Sequence, residues 1–317
     1  MSTPTDPWRP ASGCGPDCLP APGRAPSVPI VRRAGRLLAV LGMLLAGTVL
    51  AVLLPVLPGP ERSAAVRAWA RGTLRAFGVR LVRAGRLPRR PALLVANHVS
   101  WLDILALLAV GPARMVAKRE VRDWPLVGAL ASAAGTVWVD RSRPRSLPDT
   151  VAQVAAALRA GRPVAVFPEG TTWCGGPAEC RPGGGFRPAM FQAAIDAGAP
   201  VVPVRIGYRH PVDGAPSALA ASAGAPSALA AFVGEETLWR SVRRVLAAAD
   251  LTVSVSVAGA LHPVAGADRR VLARAAESAV HLVGARPARA ARRGPAAGAQ
   301  VTVPGVRTST GELDLAA

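Results

Sequence analysis

The chain has 317 residues, 50% of them hydrophobic, and a formal net charge of +19 from 38 basic and 19 acidic residues. That length and apolar content allow one sizeable domain with appendages, and the charge favours an anionic partner, whether nucleic acid, a membrane face or a phosphorylated substrate. Zinc-finger spacing, an RRM-type aromatic signature and a P-loop are all missing, and the arginines are not interleaved with aromatics, which argues against nucleic acid.

Residues 1–29 are rich in Pro, Gly and Ser and lack periodicity, so a disordered leader is expected. The leader holds Cys14 and Cys18, and the other two cysteines, Cys174 and Cys180, lie far downstream. Neither pair has Cys-x-x-Cys spacing, so incidental thiols are expected here rather than metal ligands.

Residues 37–57 form an uncharged apolar run, long enough to cross a bilayer as a helix. The run starts late and no small-residue cleavage site follows it, unlike a signal peptide. Residues 61–80 then place Arg67, Arg71 and Arg75 on one helical face, with Val66, Trp69, Thr73 and Phe77 mostly on another. This is the pattern of a basic amphipathic helix resting among lipid headgroups. Arg32, Arg33 and Arg36 put positive charge on the other side of the apolar run too, so charge gives no orientation. With Pro55, Pro58 and Pro60 as the break, residues 30–82 are expected to form a membrane-associated helical hairpin. A spanning helix followed by a surface helix of the soluble part is the alternative.

Residues 83–285 alternate short apolar runs (93–96, 136–139, 164–167, 201–206 and 251–257) with helical stretches near 101–110, 124–133, 149–160 and 188–197. The pattern predicts an α/β domain with a mostly parallel sheet flanked by helices. Within it, residues 214–231 contain the octapeptide GAPSALAA twice, which reads as a low-complexity insertion too short for a solenoid. Residues 286–317 lose periodicity again and are expected to form a disordered tail.

Two segments carry chemistry. The first is Asn97-His98-Val99-Ser100-Trp101-Leu102-Asp103, directly after a predicted strand. Five positions on an ideal helix are about 140° apart around the axis, so His98 and Asp103 cannot share a helical face. They can meet if His98 lies in the turn and Asp103 reaches back from the first helical turn. The carboxylate would then fix the imidazole tautomer and stabilise the imidazolium. A histidine satisfied locally in a turn fits this segment equally well. The second segment, Phe167-Pro168-Glu169-Gly170-Thr171, ends another predicted strand. It places a carboxylate and a glycine where a ligand can approach the backbone.

Together these segments resemble the glycerolipid acyltransferase family, whose best-known member is 1-acylglycerol-3-phosphate acyltransferase. The block N-H-x-S-x-x-D is matched by Asn97, His98, Ser100 and Asp103, and F-P-E-G-T by residues 167–171. Between them, Gly135 through Val139 to Asp140 and Arg141 is similar to the family's second block, approached by Lys118, Glu120, Pro125 and Gly128. Val202-Pro203-Val204 resembles the fourth. Two departures stand out: Thr172-Trp173 follow the third block, and Phe186-Arg187-Pro188-Ala189 stands where the family has F-K-x-G.

The resemblance implies an O-acyltransferase that uses acyl-CoA or acyl carrier protein as co-substrate, with no cofactor and no metal. His98 and Asp103 are implied as catalytic. Ser100, Arg141, Glu169, Gly170, Thr171 and Arg187 are implied as substrate-binding, with the two arginines on the anionic headgroup. The implied acceptor is a lysophospholipid, foremost 1-acylglycerol-3-phosphate giving phosphatidic acid. A lyso-amino-acid lipid, or a non-catalytic basic membrane protein, is the alternative. Membrane lipids are the implied partners and the cytoplasmic face of the cell membrane the implied location, because both donors are cytosolic.

Overall fold

The computed structural model describes residues 10, 12–21, 23, 25–88, 90–176, 180, 185–210, 225–285 and 306–308. Two helices come first, α1 (Ile30–Leu53) and α2 (Gly59–Ala76). They pack antiparallel: an added Cβ at Gly47 would strike the Trp69 indole, one at Gly72 would meet Met43, and one at Gly78 would meet Arg36. The Trp69 indole N–H donates to the Met43 carbonyl at 2.8 Å. Small residues on one helix thus receive large ones from the other, which allows close approach.

The helices differ in what their apolar faces cover. Helix α2 buries Ala70, Thr73 and Leu74, and Phe77, just beyond it, meets Trp101 edge-on at 5.0 Å. Its apolar face therefore belongs to the protein core, not to lipid, which corrects the expectation of a headgroup-layer helix. Arg71, exposed overall, donates from Nε to the Ala109 carbonyl at 3.0 Å. Helix α1 keeps an outward apolar stripe that includes Leu38, Leu41, Leu45, Val49 and Val52, and Leu45 is 68% exposed. At 24 residues, with an 18-residue stretch of mean hydropathy 2.2, it is long and apolar enough to cross a membrane.

The α/β part contains β1 (Arg80–Ala84), β2 (Leu93–Ala96), α3 (Leu102–Val110), β3 (Arg114–Lys118), α4 (Val127–Ala133), β4 (Val137–Val139), α5 (Leu147–Arg159) and β5 (Val164–Val166). It continues through α6 (Ala189–Ala197), β6 (Val201–His210), β7 (Ala225–Pro226), α7 (Leu238–Ala247), β8 (Thr252–Val257), β9 (Leu261–Pro263), α8 (Arg269–Ala285) and β10 (Val306–Thr308). The main sheet runs β1-β8-β6-β2-β5-β3-β4. Pairs β1–β8, β2–β6, β2–β5, β3–β5 and β3–β4 are parallel, while β6–β8 is antiparallel.

Both sheet faces are covered, as a largely parallel sheet requires. Strand β2 shows why its sequence is continuously apolar. Leu94 and Ala96 join the cluster with Leu74, Leu102, Leu107 and Leu246. Leu93 and Val95 point the other way, to Val154, Leu158, Phe191 and Leu272.

The chain ends depart from the sequence reading. Val28 N–H donates to Ala247 O and Ala249 N–H to Pro26 O, so the end of the leader is bonded to the α/β part rather than structureless. Residues 211–224, which hold the first octapeptide and the start of the second, lie outside the described residues. The rest of the second copy is packed, not a loose insertion: Leu229, Ala230 and Ala231 are buried. Within the tail, β10 pairs antiparallel with β9, and residues 286–305 and 309–317 lie outside the described residues.

Candidate active site

Because β2, β3, β4 and β5 are mutually parallel, the segments that follow them leave the sheet on one edge. That edge gathers Asn97-His98 after β2, Asp140-Arg141 after β4 and Phe167–Thr171 after β5. In open α/β sheets, ligands bind outside the carboxyl ends of the strands, where these segments lie.

The turn after β2 is held at both ends. The Asn97 side chain donates to Ile206 O at 2.9 Å and accepts from Ile206 N at 2.8 Å, extending the β2–β6 pairing by one amide. Asp103, fully buried in the first turn of α3, holds the other end. Its Oδ2 accepts from Val99 N at 2.7 Å and Ser100 N at 2.9 Å, and lies 2.9 Å from His98 Nδ1. Its Oδ1 accepts from the Tyr208 hydroxyl at 2.6 Å. A buried carboxylate facing Nδ1 makes that nitrogen the N–H donor and leaves Nε2 as the basic nitrogen. The tautomer required of a general base is thus set by position alone. Burial, reinforced by the Asp103 charge, pushes the Tyr208 phenol well above its usual pKa, so it stays a donor.

The turn after β5 locks onto the first. Glu169, 2% exposed, accepts the His98 backbone N–H at 2.6 Å and the Trp173 indole N–H at 3.1 Å. The Trp173 backbone N–H donates to His98 O at 3.1 Å. The Phe167 ring stacks on the His98 imidazole, with centroids 3.9 Å apart and planes 10° from parallel. The imidazole is therefore held on one face and at Nδ1.

Gly170 sits at φ +75°, the left-handed region that favours glycine. Its carbonyl accepts from Arg141 Nη2 at 2.8 Å, and a Cβ placed on it would lie 3.5 Å from Arg187 Nε. Two guanidiniums therefore converge on one loop. Burial lowers the Arg141 pKa from the usual arginine value, Glu120 partly restores it and the Arg187 charge lowers it again. Neighbouring like charges held by the fold favour an anion between them.

The residues expected from the sequence thus divide. His98 and Asp103 meet in the predicted way, and Arg141, Arg187 and Gly170 come together beside them, with half-buried Thr171 next in the loop. Ser100 and Glu169 do not line open space: Ser100 is fully buried with its Oγ accepting from Leu102 N, and Glu169 joins the two turns. Both side chains are buried and hydrogen-bonded within the two turns. Tyr208 and Trp173 were not anticipated. Their only sequence signal is a polar-tipped aromatic among core positions, which must find a hydrogen-bond partner when buried.

This is the arrangement of the glycerolipid acyltransferase family, and the chain belongs to it. The Acyltransferase family model matches residues 79–207. Among its relatives, the lyso-ornithine lipid O-acyltransferase of Pseudomonas aeruginosa is 35% identical over 80% of this chain and 92% of its own length. The Brucella abortus protein of the same name is 34% identical over 66% of this chain and 77% of its own. The 1-acyl-sn-glycerol-3-phosphate acyltransferase of Neisseria gonorrhoeae is 39% identical, over 47% of this chain and 57% of its own length. The chain is an O-acyltransferase acting on a lysolipid.

Proposed function

We propose that the acceptor is 1-acylglycerol-3-phosphate and the donor acyl-CoA or acyl carrier protein, with reaction at the cytoplasmic face of the cell membrane. The observation that supports the phosphate acceptor most is the pair of guanidiniums at Gly170, beside an imidazole whose Nε2 is basic. His98 Nε2 takes the proton of the acceptor hydroxyl as its oxygen attacks the thioester carbonyl. The C–S bond then breaks, and the imidazolium returns the proton to the leaving thiolate. Asp103 balances the imidazolium throughout. A second reading, a lyso-ornithine lipid as acceptor, is favoured by the coverage of the Pseudomonas relative, and its carboxylate could use the same arginines.

The test is transfer from labelled acyl-CoA and labelled acyl carrier protein by the detergent-purified full chain to a panel of lysolipids. Phosphatidate is expected as the main product. Arg141→Ala is expected to raise KM for the acceptor about 10- to 100-fold, matching the loss of a charged hydrogen bond of about 1.5–3 kcal/mol, with little change in KM for the donor. Acylation of lyso-ornithine lipid alone would establish the second reading. Equal effects on both substrates would take Arg141 out of the headgroup site.

For the membrane anchor, Leu45 and Val49 lie one turn apart on the exposed stripe of α1. Leu45→Asp/Val49→Asp is expected to release the protein from vesicles in flotation assays at about 0.5 M salt, where surface attraction is screened. Each charge would cost about 2.5–3.5 kcal/mol at mid-bilayer depth. Full retention would place the anchor elsewhere.

A further inference from the structure

The four cysteines, read as incidental from their spacing, come together. The Sγ atoms of Cys14, Cys18, Cys174 and Cys180 all lie within 4.8 Å of one another, although the two pairs are more than 150 positions apart in the chain. We propose that they form a tetrathiolate zinc site that fastens the leader onto the catalytic loop.

Three observations carry this. The first is size. Tetrahedral Zn(II) with Zn–S bonds of about 2.3 Å needs sulfurs about 3.8 Å apart, and Cys18 Sγ lies 3.8 Å from Cys180 Sγ. The second is chemistry. Four sulfurs, with no His, Asp or Glu ligand among the described residues, make a donor set that selects Zn(II) over the hard cations. The third is support around the cluster. Cys14 and Cys174 are buried, and Cys174 N–H donates to Cys14 Sγ at 3.2 Å, the kind of amide contact that steadies a metal-bound thiolate. A short 3₁₀ turn, Pro16–Cys18, closed by Cys18 N–H to Gly15 O at 3.1 Å, brings Cys14 and Cys18 to the same side. Binding would release the thiol protons to solvent and leave a ZnS₄ unit of net charge −2.

The site's place in the fold gives it a consequence. Cys174 follows Trp173, whose indole holds Glu169, and Glu169 holds the His98 backbone. Upstream of Cys14, Pro10 lies over the glycine of the third block, close enough that a Cβ on Gly170 would come within 2.7 Å of its Cγ. A metal at the four sulfurs would therefore pin both the leader above the active-site loop and the loop beneath it. It is a positioning device and takes no part in acyl transfer.

The test starts with elemental analysis of the full chain purified in detergent without added chelator. One zinc per chain is expected, and Cys14→Ser/Cys18→Ser should retain less than a fifth of it. Replacing zinc with Co(II) should give the intense visible absorption of a tetrahedral thiolate site, absent from the double variant. In hydrogen exchange, zinc removal or the double variant should speed exchange at residues 12–21 and 169–176 while leaving β2 and β6 protected. Four freely titrating thiols with no bound metal would overturn the proposal. So would a native mass showing cystines, which would make the cluster a pair of disulfides.

Discussion

Replacing His98 with alanine is expected to lower kcat by about 10²–10⁴-fold, the usual loss when a general base is removed, while the protein still folds and binds membranes. The imidazole makes one side-chain hydrogen bond, to Asp103, and stacks on Phe167. The bond that ties this turn to Glu169 uses the backbone amide, which alanine keeps. The expected thermal shift is therefore a few degrees, from lost stacking and a small cavity. Steady-state rates with thermal unfolding on the same preparation decide the matter. Near-wild-type turnover in a folded variant would remove His98 from the chemistry.

Asp103→Asn is expected to be nearly as damaging to kcat, about 10²–10⁴-fold, with most of the stability retained. The amide oxygen can take the place of Oδ2 and keep the Val99 and Ser100 N–H bonds. The amide nitrogen then faces the Tyr208 hydroxyl, which can turn from donor to acceptor. What cannot be replaced is the negative charge opposite the developing imidazolium. Tyr208→Phe is the companion measurement. It removes a neutral hydrogen bond and leaves the charge, so its kcat should stay within about tenfold of wild type. If Asp103→Asn turned over like wild type, Asp103 would be a helix-capping residue only.

How much of this was legible in the sequence depended on how local each interaction is. His98 and Asp103 are five residues apart in one turn, so their meeting could be reasoned from helix geometry. Strands β2, β4, β5 and β6 announced themselves as apolar runs because both sheet faces are covered. Strand β3 escaped notice, since Arg114 and Lys118 flank a short Met115-Val116-Ala117 centre. Helices α7 and α8 were missed because their polar faces dilute the apolar signal. The contacts of Glu169 were hidden for a different reason. A lone carboxylate at a strand end reads as a ligand-facing group, and only the tertiary structure shows the indole and amide it satisfies. Tyr208 lay beyond the expected end of its strand, which continues to His210. The cysteines show the same limit: spacing rules examine neighbours, and this cluster is assembled from the two ends of a long excursion.

The arginines of the helical pair have one further consequence. Arg71 grips the carbonyl at the C-terminal end of α3, and Arg36 grips the Leu246 and Ala248 carbonyls at the end of α7. Such bonds join the helical pair to the α/β part at two separate points, one from each helix. An enzyme held at a membrane by the apolar helix α1 would meet its lipid in two dimensions. Its saturation would follow the mole fraction of acceptor in the surface, not the amount per volume of solution. Diluting the acceptor with inert lipid would then slow turnover as surely as withholding it.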